Sequence, residues 1–319
     1  MSYQPSEKVL KNYADVMVNF AVHGGGGIRA NETVLLCLPE YALSFYGYLQ
    51  EAIIKRNANL LLDFTPNESR RRLLELGSEN QIGFTLPFET QKKLAECIDH
   101  SISVRGILNP YEFAGIETNR MMALSNANRS LWKDHLYNKE REGKFSWTLC
   151  WWPTEGCATE AKMSLKEYWE QVIHACYLDE QDPLTEWRKT MSEIDRVKEK
   201  LNALDIEKVH VESEDGIDIW ITIGEMRRWL GGSGRNIPSY EVYVSPDWRG
   251  VTGVMVYSEP LYYAGKVITG IRLVFENGIV VEASASQNEK TLKTMLSKPN
   301  ADKMGEFSLT DRRLSRVYC

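Results

Sequence analysis

The sequence contains no run of 18 apolar residues, so no segment reads as a membrane-spanning helix. Its first twenty residues, MSYQPSEKVLKNYADVMVNF, interleave acids and polar groups and lack the apolar core of a secretory leader. Basic charge is not in excess: 38 Lys and Arg face 44 Asp and Glu, giving a net charge of −6 and a pI near 5.6. Nucleic-acid binders are ordinarily basic, so this balance argues against one. Cysteine is sparse. Cys37, Cys97, Cys150, Cys157, Cys176 and Cys319 never fall in CxxC spacing, and without an export signal they read as reduced thiols of a cytoplasmic protein. Cys97 and His100 make one metal-like pair, but a structural zinc site needs a second pair and none follows.

What is present suffices for two domains: 319 residues, 43% of them hydrophobic, can bury substantial cores. TVLLCLP (33–39) is a short continuous apolar run of the buried parallel-strand kind. YALSFYGYLQEAIIKR (41–56) carries apolar residues at helical spacing, and NLLLDF (59–64) reads as a second buried strand. Strand, helix and strand in this order form a βαβ unit. HSISVRGIL (100–108) predicts another strand and IETNRMMALSNANRSLWKDHL (116–136) a long helix. The glycines at 24–27 precede the first strand, whereas a phosphate loop follows a strand and opens a helix, so they read as an ordinary loop.

Two amphipathic helices follow, over 164–178 with Ser164 as N-cap and over 182–204 with Asp182 before Pro183. His174 falls on the apolar side of the first and reads as a core histidine. From residue 206 the pattern becomes β, with hairpin signals at Asp215-Gly216 and Asn277-Gly278 and a short helix over 289–298. The expected fold is an α/β layered N-terminal domain over 1–160 and a β-rich α+β domain over 161–319, with the helices at 164–204 free to join either side.

Two glutamates stand beside permissive backbone in the β half. Glu241 follows GGSGRNIPSY, and Glu306 follows Gly305 just before an apolar run. Fixed, deprotonated carboxylates are what a divalent cation requires, and paired acids that hold two cations activate water at neutral pH. Alone, however, two acids so far apart in sequence are ordinary surface residues.

A resemblance changes this reading. The stretches WWPTEGCATEA (151–161), DPLTEW (182–187), DIWITIGEMRRWLGGSGRNIPSYEVYVSPDW (218–248), EPLYYAGKVI (259–268), LVFENGIVVEASA (273–285) and GEFSLTDRRLSR (305–316) resemble the thermophilic-aminopeptidase family of metallopeptidases. The likeness covers nearly the full length, weakly in the N-terminal half and strongly after 218. It implies a homodimeric aminopeptidase that releases N-terminal amino acids from peptides. It also implies two divalent metal ions, zinc or cobalt with magnesium as a further option, held by Glu241 and Glu306, the latter bridging them. Many members have adjacent acids where this sequence has Tyr240 and Glu241. The retained E-V pair assigns the ligand to Glu241, with Tyr240 as the alternative. Members continue past the last motif with histidine and aspartate ligands, whereas His23, His100, His135, His174 and His210 all precede Glu306 here. The resemblance therefore implies a truncated form with an incomplete β-rich domain, slower than the family on an aminoacyl reporter, or a repurposed relative that acts as a dimeric binding protein.

Overall fold

The computed structural model describes residues 3–131, 135–263 and 266–311. Residues 132–134 of the expected long helix, 264–265 of the EPLYYAGKVI stretch and 312–316 of the last motif lie outside them. The chain divides into two compact units, one holding the described residues up to Met191 together with Ser233–Ser239, the other holding Ser192–Gly232 and the described residues from Tyr240 onward.

In the first unit, α1 (Glu7–Asn19) starts at Ser6, whose hydroxyl accepts the Val9 N–H, and buries Leu10, Tyr13, Ala14 and Met17 at three-to-four-residue spacing. β1 (Thr33–Pro39), α2 (Tyr46–Lys55) and β2 (Asn59–Thr65) form the expected βαβ unit, and β1 and β2 pair in parallel from Thr33↔Asn59 to Pro39↔Thr65. Then come α3 (Ser69–Leu76), α4 (Glu79–Ile82), α5 (Phe88–Cys97), β3 (His100–Arg105), α6 (Thr118–Leu131), α7 (Tyr137–Arg141) and β4 (Ser146–Trp151). α8 (Glu155–Glu160) and α9 (Leu165–Ala175) follow, and α9 begins with a capping box between Ser164 and Glu167. α10 (Pro183–Ala203) carries the chain from the first unit into the second.

Two expectations fail here. NLLLDF is a strand but not a buried one: Leu61, Leu62 and Phe64 are 36%, 47% and 40% exposed, because β2 lies at the end of its sheet with a neighbour on one side only. His174 is not a core residue. The buried stripe of α9 runs through Leu165, Trp169 and Val172, and the His174 side chain, off that stripe, is 42% exposed with Nδ1 3.4 Å from Asp179.

The second unit is antiparallel. β5 (Lys208–Glu212) and β6 (Asp218–Thr222) form a hairpin around Asp215-Gly216. β7 (Leu230–Gly231) follows, and then β8 (Asn236–Ile237) returns to the first unit as the fifth strand of a parallel sheet ordered β2-β1-β3-β4-β8. β9 (Val242–Val244), β10 (Thr252–Tyr257), β11 (Leu261–Tyr263), β12 (Lys266–Ile268), β13 (Ile271–Glu276), β14 (Ile279–Ser284), α11 (Glu289–Leu296) and β15 (Phe307–Leu309) complete the described chain. β13 and β14 are joined by Asn277-Gly278 alone, with φ of 49° and 85°, the two positive values that a two-residue type I′ turn demands. The larger sheet, β14-β13-β10-β6-β5, buries Ile219, Ile221, Ile271, Leu273 and Phe275 with Leu292 of α11. The three-stranded sheet, β15-β9-β7, has the two glutamates singled out in the sequence next to its strands, Glu241 before β9 and Glu306 before β15.

Candidate metal centre

β9 is the middle strand of the small sheet. It pairs antiparallel with β15 through Val242↔Leu309, Tyr243↔Ser308 and Val244↔Phe307, and with β7 through Tyr243↔Leu230 and Val242↔Gly231. Glu241 stands one residue before β9 and Glu306 one residue before β15. Continuing the register by one residue sets Glu241 against Thr310 and Glu306 against Ser245. The two acids therefore flank opposite ends of one short ladder. Strand alternation puts both on the face of the Tyr243–Ser308 pair.

The same alternation separates Glu241 from its neighbour. Tyr240, Val242 and Val244 are buried and share the opposite face, while Glu241 and Tyr243 are half-buried. Thr310 Oγ1 donates a hydrogen bond of 2.6 Å to the Tyr240 carbonyl and continues the ladder beside Glu241.

The GGSG run that precedes this strand has a packing reason. A Cβ on Gly231 would lie 2.6 Å from the Glu241 carbonyl oxygen, closer than two such atoms can approach, so only glycine lets β7 run this tightly past Glu241.

The electrostatics couple the two acids. Glu306 is exposed, yet its carboxyl is pushed above the usual carboxylate range, first by partial burial of the group and then by the negative charge of Glu241. Four strand positions, about 13 Å of rise, separate the places the register gives them. The charges act on each other across the shared face.

Two groups of three potential metal ligands occur among the described residues, and neither includes Glu241 or Glu306. One is His210, Glu212 and Asp218 on the exposed β5–β6 hairpin, where His210 Nε2 is 2.9 Å from Asp218 and the ring stacks on Trp220 at 4.2 Å. The other is His23, Glu32 and His100 in the first unit. Sequence reading passed over Glu32 and grouped His100 with Cys97. The available signal was a histidine directly before the four glycines and an acid directly before the first strand.

The fold defines a class: an α/β domain with a parallel sheet joined to an antiparallel β-rich domain. The chain belongs to the thermophilic metalloprotease (M29) family, whose model matches residues 6–319. It is therefore a metallopeptidase, and the family's chemistry is metal-dependent. It is 24% identical to aminopeptidase PepS of Streptococcus thermophilus over 94% of this chain and 78% of that protein. It is 25% identical to aminopeptidase T of Thermus thermophilus over 94% of this chain and 77% of that protein. In three dimensions it resembles wild-type AmpT from Thermus thermophilus with a TM-score of 0.81 and 22% identity, over 95% of this chain and 78% of that one, a likeness of fold. No helix among the described residues is long and apolar enough to cross a membrane.

Proposed function

We propose that the protein is an aminopeptidase that removes N-terminal residues from peptides, with two divalent cations of the zinc or cobalt class on Glu241 and Glu306. One observation carries the assignment. By strand alternation the two motif glutamates share one face of the β9–β15 ladder, and partial burial followed by the charge of Glu241 raises the Glu306 carboxyl. Like charges on one face repel each other, and a cation bound at either carboxylate offsets the charge that the other one feels. The donor chemistry of the pair fits divalent cations. Burial of Tyr240 with Val242 and Val244 supports Glu241 as the ligand of the first motif.

Bound at this pair, divalent cations supply an activated water and a Lewis acid for the scissile carbonyl. The chain's own residues hold and position. The β9 ladder, with Gly231 packed against the Glu241 carbonyl, fixes one carboxylate on a stiff strand. Glu306, in the irregular segment just before β15, is exposed to the solvent from which a peptide arrives. The negative pair also attracts the α-ammonium of a peptide, the group that distinguishes a chain end from its interior.

The chemistry in this reading belongs to the β-rich C-terminal portion, and the cytoplasmic location expected from the sequence is part of the same proposal. A homodimer is as well, supported by the apolar exposed edge strand β2.

The test is hydrolysis of leucyl-p-nitroanilide and of short peptides after chelation and reloading with zinc or cobalt. The expected result is metal-dependent release of the first residue only, abolished by N-acetylation of the substrate and by Glu241→Gln or Glu306→Gln. A protein that retains no divalent cation at the pair and cleaves nothing overturns the reading in favour of a repurposed binding relative.

A further inference from the structure

The glycine-rich stretch VHGGGGIRANE (22–32) builds a second constellation, within the first unit. After α1 the chain folds back on the helix: Gly27 N–H donates to the Val22 carbonyl at 3.1 Å and Ile28 N–H to Val18 at 2.9 Å. Gly27 has φ of 71°, and a Cβ there would lie 2.5 Å from the Asn19 carbonyl, so the return path requires glycine. His23 takes a left-handed conformation with φ of 53°, uncommon outside glycine although histidine adopts it more readily than most residues. This backbone turns its imidazole toward Glu32, the residue before β1, with Nε2 2.9 Å from Oε1.

The other members come from the starts of neighbouring parallel strands. His100 opens β3 and is 1% exposed, and its Nε2 lies 2.9 Å from the second Glu32 oxygen. Behind it, Ser146 opens β4, with Oγ 2.9 Å from His100 Nδ1 and accepting the His23 N–H at 3.1 Å. The two imidazole rings stand edge to face at 4.4 Å. Two imidazole nitrogens and a carboxylate oxygen thus lie within 4.8 Å of one another at the N-terminal ends of β1 and β3, two interior strands of the sheet.

We propose that His23, Glu32 and His100 form a zinc-class divalent-cation site of the first unit, with a water as the fourth ligand and Ser146 orienting the buried imidazole. Two histidines and a carboxylate are donors that zinc accepts, at about 2.0–2.2 Å. Tetrahedral ligands at that radius stand roughly 3.4 Å apart, so the present 2.9 Å separations need to open by a few tenths of an ångström. His23 and Glu32, both on loop segments with side chains 23% and 18% exposed, supply that movement and the path for water.

The proton positions are consistent with the exchange. An ionised Glu32 only accepts, so the nitrogen that each histidine turns toward it, Nε2, carries a hydrogen, and in a neutral His100 ring Nδ1 then accepts from the Ser146 hydroxyl. A cation displaces those two Nε2 protons, and neutral rings re-form as Nδ1–H tautomers. His100 then donates to Ser146 Oγ, whose second lone pair still accepts the His23 N–H, while the serine hydrogen rotates away. No net proton is released from neutral rings. This hydrogen bond from the far ring nitrogen is the support that metal-ligating histidines ordinarily have.

The experiment uses the full chain carrying Glu241→Gln and Glu306→Gln, which separates this site from the proposed catalytic pair. After removal of metal, zinc is titrated against a chromophoric chelator, and the loaded protein is examined by zinc-edge X-ray absorption. The expected result is one zinc per chain with two imidazole ligands, and a melting temperature that rises with zinc. Adding His23→Gln abolishes the stoichiometric binding, and adding Ser146→Ala weakens it by about 10–100-fold. Failure of the double variant to bind zinc, fewer than two imidazoles on the metal, or binding unchanged by His23→Gln in a folded protein overturns the proposal and leaves a hydrogen-bonded latch only. The absorption measurement needs no change at the site, so misfolding of a histidine variant does not shield the proposal.

Discussion

Replacing Gly231 by alanine tests the link between the glycine run and the first glutamate. The new methyl carbon would lie 2.6 Å from the Glu241 carbonyl oxygen, 3.1 Å from Ile194 Cγ2 and 3.3 Å from Val242 Cα. Comfortable contacts of this kind begin near ~3.5 Å, so β7 and β9 must part by roughly an ångström, against a ladder that pairs Gly231 with Val242. Two of the three obstructing atoms are backbone, and neither can rotate away. Overpacking of this sort costs about 1–3 kcal/mol. At about 2–4 °C per kcal/mol, the melting transition should fall by about 2–12 °C. Displacing the strand that carries Glu241 by that distance should also lower peptidase activity by about a hundredfold. Gly305→Ala is the matched control, since that glycine borders the other glutamate and a Cβ there meets nothing within 4 Å. Its melting temperature should stay at the wild-type value or rise slightly. Calorimetry and a reporter assay on both variants decide the matter. Equal behaviour of the two would refute the packing argument.

Three further outcomes follow from charge and exposure. In metal-free protein the raised Glu306 carboxyl favours its protonated form in the fold, so that group's contribution to stability is lost as pH rises from its ordinary value through the raised one; Glu241→Gln should lower the Glu306 pKa in an NMR titration. Burial opposes the charge of Glu32, but the Arg29 N–H and the His100 and His23 imidazoles outweigh it and hold the carboxyl to about 2. Its contribution is therefore present above about pH 4.5 and lost as pH falls toward 2, and Glu32→Gln should flatten metal-free acid unfolding in that window. Leu62→Lys on the exposed edge of β2 should convert the proposed dimer to monomer in light scattering while changing the stability of the unit itself by no more than about 0.5 kcal/mol in denaturant titration.

Local chemistry was legible wherever one short stretch decided it. Ser164 with Glu167 and Asp182 before Pro183 start helices where capping rules put them. Asp215-Gly216 and Asn277-Gly278 turn their hairpins as expected. What escaped were properties set by neighbours distant in sequence. NLLLDF has the composition of a buried strand, and only the sheet order reveals that it is an edge. His174 misled because a helical stripe is fixed by which residues find partners, and Trp169 and Val172 took that role.

The two glycine-rich runs show why the candidate sites were unequally visible. Gly27 and Gly231 do the same physical work, since each lets backbone pass a carbonyl oxygen at a distance no side chain tolerates. At Gly231 the carbonyl belongs to Glu241 itself, and the acid lies ten residues along the same motif, so one stretch of sequence holds both the constraint and its beneficiary. At Gly27 the carbonyl belongs to Asn19, and the side chain so positioned, His23, meets His100 only because β1 and β3 pair in parallel at Val34↔His100. Neither composition nor periodicity can express that pairing. A glycine run before a strand is therefore poor evidence for a phosphate loop and good evidence for a close backbone approach. The side chain next to such an approach is then the one to inspect, and here it is His23 in one unit and Glu241 in the other.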